Sequence, residues 1–177
     1  MPSKDDAGAS SKGSLMPRRV VAVLAAAAAM LWLAAAPAQP VRETPYWASV
    51  SSSRAMMRSG PGRNYPGTWL YVRPDLPIQV VEVYQSWRKV RDPDGETGWM
   101  LVNLLSDTRT AIVRGEDPRP LHEQPQEASP IRFRAEPGVV GRISRCRSGW
   151  CRFDVGGRGG FIRIDHIWGV GPSETVG

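Results

Sequence analysis

The stretch Trp87-Arg88-Lys89-Val90-Arg91-Asp92-Pro93-Asp94-Gly95-Glu96-Thr97-Gly98-Trp99 decides the fold. Asp92 stands at the first position of a type I turn, Pro93 at the second, and Gly95 where a left-handed residue is wanted. Pro93-Asp94-Gly95 is the three-residue loop with a glycine bulge that closes many β-hairpins. That register sets Lys89 opposite Trp99 and Trp87 opposite Leu101; a slip of one residue, which sequence does not exclude, would exchange these partners. Side chains alternate along a strand, so Trp87, Lys89, Trp99 and Leu101 share one face, and Val90, Met100 and Val102 share the other. The second face is uniformly aliphatic and reads as core. The first leaves two indoles and a cation at the surface.

Working outward, short Val- and Ile-rich runs separated by Gly and Pro continue on both sides: residues 69–72, 78–84, 87–91 and 99–105. No long helical periodicity interrupts them. This pattern predicts an all-β chain of small barrels or sandwiches. The landmarks also repeat. Trp87, Gly98-Trp99 and Leu104-Leu105 return as Trp150, Gly160-Phe161 and Ile167-Trp168. Leu76-Pro77-Ile78-Gln79-Val80 aligns with Pro137-Gly138-Val139-Val140-Gly141. Met57-Arg58 and Tyr65-Pro66 align with Leu121-His122 and Ser129-Pro130. Two related units follow, 46–107 and 110–170, after a linker at 39–45 and before a tail at 171–177. Each is near the lower size limit for an independent core.

The N-terminus reads as an export segment. Arg18-Arg19 is a charged start, residues 20–36 are uninterruptedly apolar, and Ala36-Pro37-Ala38 is a small-x-small cleavage pattern. Cleavage after Ala38 is expected, with an uncleaved anchor as the alternative; residues 1–15 read as a non-essential extension. The 177-residue chain carries a formal charge of +6, and residues 39–177 keep +4. The cations are scattered among acids as single arginines. A solvated basic surface is therefore expected rather than a nucleic-acid site, and membrane contact only through an uncleaved segment.

The first unit resembles a bacterial SH3-like domain. The resemblance rests on Met57-Arg58-Ser59-Gly60-Pro61-Gly62, Asn64-Tyr65-Pro66, Leu76-Pro77-Ile78, Trp87-Arg88-Lys89-Val90, Gly98-Trp99-Met100 and Leu104-Leu105. The second unit is similar more loosely and lacks the Arg-Ser-Gly-Pro segment. An export segment followed by two such units resembles exported SH3-like proteins of Gram-negative bacteria. The resemblance implies a five-stranded, partly open barrel in each unit, and binding rather than catalysis. It also implies a ligand groove between two long loops. Residues 58–66 would form one loop, Trp87 and Trp99 the floor, with Tyr65 and Tyr71 nearby and Arg58 and Lys89 able to meet a carboxylate. Trp150, Phe161 and Arg152 take the corresponding places in the second unit. The competing reading is that these aromatics close the barrels or join the two units.

Catalytic signals are weak. No Gly-x-Ser-x-Gly, His-Glu-x-x-His or phosphate loop is present. Cell-wall cysteine peptidases often carry SH3-like modules, but no separate catalytic domain is expected in this chain. Cys146 and Cys151 flank Arg147-Ser148-Gly149-Trp150, and in an exported chain they are expected to form a disulfide. The alternative is zinc completed by His122 or His166. Asp92, Asp94 and Glu96 fail the calcium-loop pattern, because Thr97 and Asn103 stand where Gly and Glu are required. No metal and no cofactor is expected. The leading expectation is a non-catalytic periplasmic or cell-envelope module that binds a peptide, peptidoglycan or an envelope protein. A structural or assembly role, with both grooves filled by the contact between units, and an accessory subunit of an envelope enzyme are the alternatives. Exposed Trp87 and Trp99 would favour the first and buried ones the second.

Overall fold

A computed structural model describes residues 42–177. The expectations for an export segment and for residues 1–15 lie outside the described residues. The first unit comprises β1 (Tyr46–Val50), β2 (Ala55–Arg58), β3 (Gly67–Tyr71), β4 (Pro77–Tyr84), β5 (Trp87–Arg91), β6 (Thr97–Leu101), a 3-10 turn at Val102–Leu104, and β7 (Leu105–Ser106). The second comprises β8 (Thr110–Val113), β9 (Arg119–His122), β10 (Ile131–Ala135), β11 (Val140–Arg147), β12 (Trp150–Val155), β13 (Arg158–Arg163), a 3-10 turn at Ile164–His166, and β14 (Ile167–Trp168). The sheet orders are β3-β2-β6-β5-β4-β1-β7 and β10-β9-β13-β12-β11-β8-β14, the same topology twice. Each unit thus has seven strand segments where the resemblance implied five; one short pairing per unit, β1 with β7 and β8 with β14, extends each sheet at one edge.

The β5–β6 hairpin has the expected register, with Trp87 opposite Leu101 and Lys89 opposite Trp99. Asp92 organises the turn. Its Oδ1 accepts the Asp94 N–H at 3.0 Å and the Glu96 N–H at 2.8 Å, and its Oδ2 accepts the Tyr71 hydroxyl at 2.8 Å. Gly95 is left-handed, at φ +92. The second unit replaces this turn with Gly156-Gly157, both at positive φ, which is what a two-residue hairpin loop of type I′ demands.

Hydrogen bonds outside the ladders repeat as well. Ser59 N–H donates to Pro66 O and Tyr65 N–H to Gly62 O. In the second unit Glu123 N–H donates to Pro130 O and Ser129 N–H to Gln126 O. The second loop therefore has the same frame without the Arg-Ser-Gly-Pro segment, because main-chain groups carry it. Val50 N–H to Leu76 O matches Val113 N–H to Val139 O. This equates Leu76 with Val139, two residues away from the alignment read off the sequence. That stretch is aliphatic throughout, so composition could not fix its register.

The cores share a layout but not their residues. Ala48, Val50, Ala55, Met57, Ile78, Val80, Val90 and Met100 fill the first. Ala111, Val113, Leu121, Ile143, Phe153 and Ile162 are among those filling the second, with the Cys146–Cys151 disulfide. Val102, expected in the core, begins the 3-10 turn and is exposed, since the turn breaks strand alternation. Each fully buried Ile, Val or Met contributes about 1.5–3 kcal/mol.

The units meet through Trp47 and Trp168, edge to face at 4.8 Å. Arg73 Nη1 donates to Gly138 O at 2.9 Å, and Arg114 Nη1 donates to Pro93 O at 2.7 Å beside Asp94. Residues 171–177 return to the second barrel. Val176 pairs with Cys146, and Glu174 accepts from Arg109 and from the Gly171 N–H. Burial alone would raise the Glu174 carboxyl; the hydrogen bonds from Arg109 and Gly171 outweigh it and hold the group below its ordinary value.

Candidate binding site

The outer face of β4, β5, β6 and β2 is built by cross-strand pairing. One row runs Tyr84, Trp87, Leu101; the next runs Glu82, Lys89, Trp99, Arg58. Opposed side chains in such rows lie within about 5.5 Å at Cβ. The expected exposure of the two indoles is corrected here. Trp87 is 8% exposed and Trp99 9%. Neither belongs to the aliphatic core cluster, and the aromatic contact between the units is made by Trp47 and Trp168. Each is flanked by long partners in its own sheet, Trp87 by Tyr84 and Leu101, Trp99 by Lys89 and Arg58. Stems and rings of this kind lie along apolar surface and cover it. Burial is the outcome expected of the structural or assembly alternative, and the two indoles form a covered aromatic floor rather than an open groove.

What remains exposed forms the rim. Tyr65 is 43% exposed and Tyr84 50%. Tyr84 stands edge-on to Trp99 at 6.5 Å. Sequence reasoning passed over Tyr84, although its place opposite Trp87 across a two-residue loop was available. Arg58 folds back, donating through Nη1 to Tyr65 O at 2.7 Å, so it fixes the 59–66 loop. Lys89 is 3.4 Å from Glu82. Tyr71 is not on the rim. It reaches across to Asp92, and burial first, then this carboxylate, pushes its phenol well above the ordinary value. The β3 strand carries further exposed apolar residues, Trp69, Leu70 and the adjoining Val72.

In the second unit the rows are Arg147, Trp150, Arg163 and Ser144, Arg152, Phe161, His122. Trp150 is 7% exposed, with the Arg163 guanidinium 5.8 Å from its ring centre. Arg152 lies at the same distance from half-buried Phe161. His122 occupies the place of Arg58 and repeats its contact: Nδ1–H donates to Ser129 O at 2.8 Å, a carbonyl that can only accept. Its ring stands edge-on to Trp150 at 5.4 Å. Burial, reinforced by the Arg119 and Arg163 charges against Asp165, lowers the His166 imidazole below its ordinary value. The disulfide consumes both thiols, which overturns the zinc alternative for Cys146 and Cys151.

Two barrels of one topology, each with an aromatic-floored outer face and a hydrogen-bonded loop beside it, define a tandem SH3-like architecture. The chain belongs to the bacterial SH3 domain family, which matches residues 51–107 and again residues 115–169. Structures similar to this chain include NlpC1 from Trichomonas vaginalis (14% identity, TM-score 0.33) and NlpC2 from the same organism (16%, 0.32). An NlpC/P60 family protein from Bacillus cereus is another (13%, 0.32). They cover 76%, 72% and 70% of this chain, and 49%, 49% and 56% of their own chains. This chain therefore spans about half the length of those proteins. No curated protein matches it.

Proposed function

We propose that this protein is a non-catalytic binding module of the periplasm or cell envelope, and that the outer face of the first barrel takes a peptide or a peptidoglycan-type ligand. The observation that carries the reading is the half-exposed pair Tyr65 and Tyr84 beside the Trp87/Trp99 floor. Amphipathic rings over a rigid floor offer large contact area at low entropic cost. Lys89 and Glu82 supply the polar rim. Consumption of both cysteines in a disulfide leaves no thiolate nucleophile among the described residues, which supports a binding role, and an oxidised pair suits an exported chain. The test is retention of the full chain on purified sacculi and on envelope extract. Tyr84→Ala should abolish retention while the chain stays folded, its melting temperature lowered by only a few degrees for the lost contact with Trp99; unchanged retention refutes the assignment of this face.

A further inference from the structure

From the basic outer face of the second barrel we infer that it docks an extended acidic peptide, one carrying carboxylates at alternate positions. This deepens the proposed function and rests on it for the peptide nature of the ligand. The argument starts from equivalent positions. Where the first barrel has Gln79, Tyr84 and Lys89, the second has Arg142, Arg147 and Arg152, by the strand equivalence that sets Leu76 on Val139 and Trp87 on Trp150; Ser144 stands opposite Arg152 where Glu82 stands opposite Lys89. In the first barrel the one cation of the three, Lys89, is paired with Glu82. In the second, none of the three guanidiniums has an ion-pair partner among the described residues. Asp154 is the cross-strand partner of Arg142, yet it accepts the Gly157 N–H at 2.9 Å instead.

Gathering three cations on one small face, beside the single carboxylate of Asp154, costs free energy that the fold does not require, since solvent-facing strand positions accept any polar residue. A ligand of opposite charge would offset that cost. The spacing suits a peptide. Arg147 is opposite Trp150, two residues before Arg152, and Arg142 is opposite Asp154, two residues after it. Arg152 is therefore the diagonal neighbour of both, at about 7–8 Å. Carboxylates two residues apart on an extended chain are separated by about 6.6–6.8 Å. Planar guanidiniums recognise carboxylates in paired hydrogen bonds. A lipid surface is the poorer fit: the only large apolar ring in the Arg147–Trp150–Arg163 row is almost wholly covered, so that row has nothing to insert among acyl chains.

The test is calorimetric titration of the full chain with a capped peptide of alternating glycine and glutamate, and with its glutamine counterpart. Vesicles of phosphatidylcholine with and without phosphatidylglycerol form a separate arm. The glutamate peptide should bind, more weakly as salt rises, and the glutamine peptide should not. Arg147→Gln and Arg152→Gln should each weaken binding about tenfold, and Arg91→Gln on the first barrel should leave it unchanged. The inference is overturned if the glutamine peptide binds equally, if neither variant differs from the parent, or if no probe binds. Binding of phosphatidylglycerol vesicles through the same arginines without peptide binding overturns it in favour of a membrane. If the two variants keep peptide affinity while Tyr84→Ala still abolishes retention on sacculi or envelope extract, this inference falls and the proposed function stands. If the arginines bind the peptide but nothing from the envelope is retained, the proposed function falls instead.

Discussion

The two barrels solve the same topology with different chemistry. The first fills its centre with Ile78 and Val90; the second has Gly141 and Phe153 at the equivalent places. A Cβ on Gly141 would meet Phe153 Cζ at 2.7 Å and Asp154 O at 2.7 Å, so the glycine makes room for the ring and for the neighbouring strand. The first hairpin turn is held by a buried carboxylate, the second by two glycines. The first outer face is aromatic and charge-compensated, the second aromatic and basic. Topology is thus set by hydrogen-bonded frame and total core volume, which several residue sets satisfy, while the outward faces diverge without cost to the fold.

The core exchange should show the largest effect. Phe153→Val empties a fully buried site and should cost about 2–4 kcal/mol in urea unfolding of the full chain. Val90→Phe should cost about 1–3 kcal/mol by overpacking against Ile78. Adding Ile78→Ala to Val90→Phe should return part of that loss, because the two sites share one volume; strict additivity would break the claim that they are exchangeable halves of one space.

Next comes Asp92→Ala. It strands the Tyr71 hydroxyl and two main-chain donors and should destabilise the first barrel by about 3 kcal/mol. The measurement is the urea midpoint read by a probe of each barrel. A first barrel as stable as before would show that the turn is held by Pro93-Asp94-Gly95 alone.

Replacing Cys146 and Cys151 together by serine should cost the second barrel about 2 kcal/mol, as expected for so short a closed loop, and leave the first unchanged. Equal loss in both would mean that they unfold as one unit through the Trp47–Trp168 contact.

The smallest effect concerns the returning tail. Glu174 has a lowered folded-state pKa, so its contribution is present above its ordinary value and is lost as pH falls through the lowered one. Acidification should release residues 171–177 before the barrels unfold, seen as Val176 methyl resonances shifting ahead of those of Val113. Simultaneous loss would show the tail to be integral to the second barrel.

Much of the fold was legible because it depends on local chemistry. Asp92-Pro93-Asp94-Gly95 specifies its turn, the turn specifies which residues pair, and period-two alternation then separates Val90 and Met100 from Trp87 and Trp99. The recurrence of Trp87, Gly98 and Leu104 in the second unit likewise follows from positions that topology constrains. The upstream alignment was misplaced by two residues because an aliphatic run has no internal landmark, and its register is decided only by Leu76 O and Val139 O meeting their distant donors.

The sites were legible in part. Sequence alone determined two SH3-like barrels and pointed to the hairpin register and to a Cys146–Cys151 disulfide, which local turn chemistry and short spacing favour; the structure decided both against a one-residue slip and against zinc. Only the tertiary structure decided that Trp87, Trp99 and Trp150 are covered, that Tyr84 stands on the rim, and that Arg142, Arg147 and Arg152, scattered among other residues in the chain, lie on one face of the second barrel. Exposure and the clustering of charge depend on which side chains from other strands lie alongside, and that is fixed by how the sheet closes.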